Sequence, residues 1–338
     1  MNKLGKRLGV VFAVLVLVVA AGITFTVGWR PFIGPRTRPL TARKFESTPA
    51  RLARGAYLVN PVARCMSCHA EHDWTAHDAP VVSGTLGSGQ DMTPLKGLPG
   101  QVFAPNITPD PETGAGSWSD DQLARAIREG VSHDGRALFP SMPYPDFHKM
   151  SDEDLASVVV YLRSLPPVRK QRPVTNLIFP VKYLIRNAPQ PLNAPVPEPD
   201  LSTPAKRGGY LVGIGGCRDC HTPQKRGQPL SGLDFSGGVI LDGPWGRVAS
   251  ANITPDPSGI SYYDQAMFTQ AIRTGFVGPR KLNQIMPWHT YRGMTDEDIA
   301  AMFAYLKTLK PVRHNVDNTE PPTFCKVCRH THGGGNQN

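Results

Sequence analysis

The sequence predicts an all-α fold: two tandem small helical bundles preceded by a single transmembrane helix. Three observations predict it. The run Leu8 to Trp29 (LGVVFAVLVLVVAAGITFTVGW) carries no charge and is long enough to cross a bilayer as a helix. The rest of the chain contains the same ordered set of segments twice. Each copy then closes on an apolar stripe at helical spacing behind a capped, acidic start.

The apolar run exceeds the ~7–15-residue core of a cleavable signal, and no clean A-x-A site follows it. An uncleaved anchor over residues 1–30 is therefore expected, with a cleaved signal as the alternative. Lys3, Lys6 and Arg7 precede the run, but Arg30, Arg36, Arg38, Arg43 and Lys44 follow it. The count of positive charges does not orient the helix.

The repeat is explicit. RGAYLVNPVARCMSCH (Arg54 to His69) returns as RGGYLVGIGGCRDCH (Arg207 to His221), and NITPDP occurs at Asn106 and at Asn252. AIREG at Ala126 returns as AIRTG at Ala271, and KMSDEDLASVVVYLRSLPPVR at Lys149 as GMTDEDIAAMFAYLKTLKPVR at Gly293. A duplicated domain follows, at 48–170 and 202–315. A linker over 171–201 joins the copies: its second half is Pro-rich and expected to be extended, its first half apolar enough to dock. Residues 316–338 form a tail with a CxxC pair.

Composition agrees with small loop-rich bundles. Of 338 residues, 34 are Pro and 33 Gly, while 40% are hydrophobic, which is not a disordered composition. The net charge of +10 invites a nucleic-acid reading. Basic residues are scattered among acids, however, so an acidic protein partner or an anionic membrane surface fits better and no nucleic acid is expected.

In the last helix of copy one, Ser151 is the expected N-cap, with Met150 stapled to Leu155. Leu155, Val158, Leu162 and Leu165 line one face and Pro166 ends the helix. Met294, Thr295, Ile299, Met302, Leu306 and Leu309 repeat the plan. SWSDDQLARAIREG predicts a second capped helix ending at Gly130. Gly55 and Gly208 fall inside the first helix of each copy, a costly place for glycine unless the last helix crosses closely there, against Tyr161 or Tyr305.

All six cysteines lie in CxxC pairs, and two of the three pairs are followed at once by histidine: Cys65, Cys68 and His69; Cys217, Cys220 and His221. CxxCH is the covalent attachment signature of c-type haem. Two thioethers hold the porphyrin and the adjacent histidine is aimed at the iron. Two copies at matched places in a repeat predict two covalently bound haem c groups. The sixth ligand is sought among aligned methionines. Met142 (LFPSMPY) aligns with Met286 (LNQIMPW), each before a proline, so both are expected as axial ligands. Met150 and Met294 are assigned to packing. His133, His148 and His289 have no histidine partner in the other copy and are read as surface or loop residues. Asn106, Thr108, Asn252 and Thr254 of the NITPDP loops either reach haem propionates or build a structural turn.

These segments resemble a known family. The doubled CxxCH, APNITPDPETGAGSW, MPYPDFHKMSDEDLASVVVYLRSLPPV and the apolar N-terminal run are similar to the membrane-associated multihaem cytochrome c subunits of bacterial gluconate and alcohol dehydrogenases. The likeness covers about residues 48–315. It implies two tandem class I cytochrome c domains, helical bundles around haem with Cys/Cys/His attachment and Met as distal ligand. It also implies a single-pass protein of the bacterial inner membrane with both haem domains in the periplasm. Expected partners are the membrane and redox proteins: a dehydrogenase or quinol-oxidising complex as donor, an oxidase or soluble cytochrome as acceptor. The expected role is electron relay without catalysis of its own. The alternative is a dihaem enzyme, a peroxidase or sulfur-compound oxidoreductase, with one haem left open.

The tail has its own chemistry. Cys325 and Cys328 are followed by His330, one residue late for haem attachment, and too few residues remain to build a haem pocket. A Cys325–Cys328 disulfide, a metal site of Cys325, Cys328, His330 and His332, or free thiols at a subunit contact remain open.

Overall fold

Each repeat begins with a threonine followed by proline, an arrangement that starts a helix: threonine supplies an acceptor and proline lacks the N–H that would go unpaired. In the computed structural model, which describes residues 3–225 and 227–334, Thr48 accepts from Arg51 N and opens α2 (Pro49–Tyr57). Thr203 does the same for α6 (Pro204–Ile214), with Lys206 N as donor. Ahead of both lies α1 (Lys3–Phe25), basic in its first turns, apolar from Leu8 onward and exposed along its length. It starts earlier than the uncharged run, at Lys3, and ends earlier, at Phe25, before Gly28 takes a left-handed conformation (φ 71°).

The attachment motifs form single-turn helices, α3 (Cys65–His69) and α7 (Cys217–His221). α4 (Asp120–Glu129) opens with a full capping box between Ser119 and Gln122 and stops at Gly130, as the spacing predicts. Its counterpart is α8 (Gln265–Thr274), capped by Asp264. The repeats close on α5 (Asp152–Ser164) and α9 (Asp296–Leu306), capped by Ser151 and Thr295. Met150 and Leu155 are both fully buried, consistent with the staple. The described residues also contain six two-stranded sheets, the longest being β1 (Ile240–Gly243) with β2 (Gly246–Ala249).

First and last helices cross within each repeat, and glycine makes the crossing. A Cβ on Gly55 would overlap the Ser157 carbonyl and lie 2.7 Å from Tyr161 Cβ; on Gly208 it would overlap the Ala301 carbonyl. The second crossing therefore runs against backbone at Ala301, and Tyr305 instead faces the next residue, Gly209.

The repeats also grip one another reciprocally. Asp154, at the third position of α5, accepts from Arg54 Nε (2.7 Å) in its own repeat and from Tyr210 Oη (2.7 Å) in the other. Asp298 in α9 accepts from Arg207 Nε and from Tyr57 Oη. Each tyrosine oxygen also receives a backbone N–H from the residue capping the partner helix, Ser151 (3.2 Å) or Thr295 (3.1 Å). Both carboxylates are nearly inaccessible to water, so their charge depends on these partners.

The apolar half of the linker docks beside the foot of α1: Arg186 donates to Pro31 O and Asn187 to Val27 O. The Pro-rich half is extended and its Val196 carbonyl accepts from Asp152 N at the start of α5. The strand after α1 is tethered by Arg38, whose guanidinium grips Asp121 (2.7 and 2.8 Å) and Glu129 (2.8 Å) of α4. Burial pushes Asp121 up, but the Arg38 bonds and the Thr41 N–H outweigh it and hold the carboxyl at about 2.

Gly208→Ala should lower unfolding stability by about 3 kcal/mol through overpacking. Gly213→Ala in the same helix, where a Cβ meets nothing within 4 Å, should raise it by about 0.5 kcal/mol; chemical denaturation of the detergent-solubilised protein reads both. Tyr210→Phe should cost about 2 kcal/mol by the same assay, since a buried carboxylate loses a charge-assisted bond. The Asp121 carboxyl sits below its ordinary 3.8. Its contribution is therefore complete above pH ~4 and lost as pH falls towards ~2, roughly 2 kcal/mol in all. Hydrogen exchange over residues 36–45 should accelerate in that window, and in Arg38→Gln it should already be fast at pH 7.

Candidate functional site: two CxxCH turns at the repeat interface

The site starts from two short turns with the same backbone logic. The residue before each first cysteine is left-handed: Gly216 (φ 69°) in the second repeat and, unusually, Arg64 (φ 46°) in the first. Glycine takes this conformation freely, while arginine is strained there by roughly 1–2 kcal/mol. Arg64 Nε donates to the Gly215 carbonyl across the interface at 3.0 Å, and Tyr291 Oη donates to the same oxygen at 2.6 Å. Because Arg64 adjoins Cys65 and Gly215 lies two residues before Cys217, a single hydrogen bond joins the two attachment turns. Ser67 Oγ and Thr290 Oγ1 meet at 3.4 Å beside it.

Both histidines are held from behind. His69 Nδ1 donates to the Pro105 carbonyl at 2.8 Å, and His221 Nδ1 to the Ala251 carbonyl at 2.7 Å. Burial lowers both imidazoles below their ordinary range, against the opposing pull of those carbonyls. Each ring is thus neutral with Nδ1 protonated, which leaves Nε2 as the free donor atom. The backbone is pinned too: His69 O accepts from Gly89 N (2.9 Å) and His221 O from Gly237 N (2.7 Å). The four cysteines are unbridged thiols, and burial pushes Cys65 and Cys217 up to about 12. Two half-buried, unbridged cysteines next to an oriented imidazole fit covalent attachment of a haem with histidine on the iron.

Met142 and Met286 occupy matched turns just before the short helices Tyr144–Phe147 and Trp288–Tyr291. Both are half-buried and pack against the core that also receives Cys65 and Cys217. Met150 and Met294 are fully buried in that core. His133 stacks on Trp118 at 4.2 Å and His148 Nδ1 meets Arg128 O. His289 is half-buried and not in a loop: it lies in a helical turn facing His72 across the interface.

The NITPDP loops clasp the segment that follows each last helix. Asn106 Nδ2 donates to Val168 O (2.7 Å), and Thr108 Oγ1 accepts from Val168 N (3.1 Å). Asn252 with Val312 O (2.8 Å) and Thr254 with Val312 N (3.2 Å) repeat the clasp. All four side chains tie the loop to the segment after the last helix, an arrangement that fits the structural turn. The loop still serves the site through the residue before it, since Pro105 and Ala251 supply the carbonyls behind the histidines. The repeat alignment held that signal: each carbonyl lies one residue upstream of an identical hexapeptide.

Residues 316–334 fold back on the second repeat. Asn318 pairs with both backbone polar atoms of Ala249, and Arg247 donates to Thr331 O and Gly333 O. Cys325 and Cys328 are unbridged and face histidines. The ligand-type set is not the one the tail's own sequence suggests. His314, from the end of the second repeat, replaces His330 and joins Cys325, Cys328 and His332.

Comparison with known proteins agrees with both repeats. The cytochrome c family model matches residues 52–166 and again 205–310. A diheme cytochrome c-type protein of Cereibacter sphaeroides is 32% identical over 261 residues, covering 73% of this chain and 82% of the relative. A nicotinate dehydrogenase subunit of Pseudomonas putida is 35% identical over 228 residues, 64% of this chain and 17% of that protein. The cytochrome c subunit of the quinone alcohol dehydrogenase of Gluconobacter oxydans is 30% identical over 286 residues, 79% of this chain and 56% of the relative. This chain thus spans only part of those two dehydrogenase subunits. A family match to each repeat and a diheme relative covered over most of its length mean two covalently bound haem c groups, and the chain belongs to the cytochrome c family.

Proposed function

We propose that this chain is a membrane-anchored dihaem relay, passing electrons from a dehydrogenase or quinol-oxidising donor to an oxidase or soluble cytochrome. The carrying observation is the Arg64–Gly215 hydrogen bond, which brings the two attachment turns together at one interface. The functional units are 48–170 and 202–315. Cys65 and Cys68, with Cys217 and Cys220, would hold the two groups covalently. His69 and His221 would be proximal ligands, with Met142 and Met286 distal. Bound haem c supplies a one-electron iron couple, whose potential a thioether ligand raises.

The chain's own residues do the remaining work. Pro105 and Ala251 hold the histidine rings in one tautomer. Arg64 and the reciprocal tyrosines stop the repeats from drifting apart, so separation between the two sites stays constant from one transfer to the next. Leu58, Val62, Leu155 and Val159, all buried, keep water from the first site, and Leu211, Ile299 and Met302 do so in the second. α1 is long and apolar enough to cross a membrane. We assign it to the bacterial inner membrane with both repeats in the periplasm, since haem c is attached outside the cytoplasm. Exposed Phe32, Ile33, Ile178 and Phe179 beside its foot suit contact with the lipid surface. Relatives named as alcohol and nicotinate dehydrogenase subunits support a dehydrogenase donor.

The purified protein should contain two haems per chain by pyridine haemochrome, both low-spin in the resting state. A high-spin, five-coordinate haem in that spectrum would sink the relay and favour a dihaem enzyme with one open site. Met142→Ala and Met286→Ala should each make one haem of the two competent to bind carbon monoxide, leaving the haem count at two; carbon monoxide difference spectra would read this.

A further inference from the structure

The tail brings together four metal-ligating side chains that the haem chemistry leaves unused. We propose that His314, Cys325, Cys328 and His332 bind one structural Zn²⁺, fastening residues 316–334 to the second repeat.

The geometry is close to what zinc requires. Cys325 Sγ lies 3.4 Å from His314 Nε2, and Cys328 Sγ 2.9 Å from His332 Nε2. All four donor atoms fall within 4.8 Å of one another. Zinc bonds of ~2.0–2.1 Å to nitrogen and ~2.3 Å to sulfur place tetrahedral ligands roughly 3.3–3.8 Å apart. Side-chain shifts of an ångström or less therefore complete the shell.

The surroundings are built for such a centre. His314 Nδ1 donates to the Ser236 carbonyl at 2.8 Å, which presents Nε2 to the cluster. The CxxC pair sits in the turn of a hairpin formed by β3 (Thr323–Phe324) and β4 (Thr331–His332). Cys325 N donates to His330 O, and Arg329 N to Cys325 O, fixing the turn that points both sulfurs inward. Gly238 lies against the cluster from the repeat itself, in a left-handed conformation (φ 89°). A Cβ there would come 2.6 Å from His314 Cε1, 3.1 Å from His332 Nε2 and 3.3 Å from Cys328 Sγ. Glycine is what leaves the room. His314 and Cys328 are each 1% exposed, so the site is closed and structural, with no position open for substrate.

The donor set selects the metal. Two sulfurs and two imidazoles within reach of one ion suit zinc and exclude the oxygen-seeking calcium and magnesium. Two cysteine S–H protons leave to solvent on binding, and the two thiolates neutralise the dication. His330 stands outside the cluster and is not a ligand.

Elemental analysis of the full detergent-solubilised chain, prepared without a metal-affinity tag, tests this, with haem iron as internal standard. One zinc per two irons is expected. Metal extraction under denaturing conditions should then expose two titratable thiols, the four haem cysteines being thioethers. No zinc and no thiols, meaning a Cys325–Cys328 disulfide, overturns the proposal. So do a third iron per chain and failure of the extracted, refolded chain to take up Zn²⁺. Cobalt(II) replacing zinc should give the intense bands of a tetrahedral thiolate site. His314→Asn should abolish those bands while His330→Asn keeps them, with haem spectra unchanged in both. The opposite pattern overturns the ligand set.

Discussion

One buried carboxylate in each repeat carries most of the architecture. Asp154 and Asp298 begin the last helices, where a negative charge also complements the helix dipole. Each binds an arginine of its own first helix and a tyrosine of the other repeat. The arginine clamps the glycine crossing inside a repeat, and the tyrosine joins the repeats. Because both carboxylates are almost without water, losing a partner leaves a poorly compensated charge, which costs far more than an exposed ion pair contributes. A duplicated sequence thereby makes a two-fold-like interface from one set of side chains used twice.

That interface also sets the relation between the attachment turns. Both repeats spend a left-handed residue ahead of the first cysteine, yet only the first uses arginine. The backbone strain at Arg64 is offset by its bond to Gly215, so the duplicate has diverged at the point where the halves meet. The histidines escaped that divergence: each keeps a carbonyl behind Nδ1 and a glycine N–H on its own carbonyl oxygen. Attachment geometry is thus a property of each repeat, and proximity a property of the pair.

The outer segments follow a different logic. Arg38 looks in sequence like one more juxtamembrane cation, but in the fold Asp121 and Glu129 take up its charge. The linker uses its apolar half at the foot of α1 and its extended half against α5. Residues 316–334 hold the second repeat through Arg247, Asn318 and the His314–Cys325–Cys328–His332 cluster.

The mainly helical duplication, the helix starts at Ser119, Ser151 and Thr295, and the CxxCH turns at Cys65 and Cys217 were all legible in the chain before folding. Each rests on local physics: caps, periodicity, or cysteine and histidine held at fixed spacing. The close crossings at Gly55 and Gly208 were legible for the same reason, since a helix-interior glycine needs a compensating contact. Folding alone settled that NITPDP clasps Val168 and Val312, that Tyr57 and Tyr210 exchange partners, and that His314 displaces His330. Such pairings join groups distant in the chain. His314 shows why they stay hidden: its counterpart in the first repeat is Lys170, so the alignment that singled out the candidate haem residues gave no sign of it.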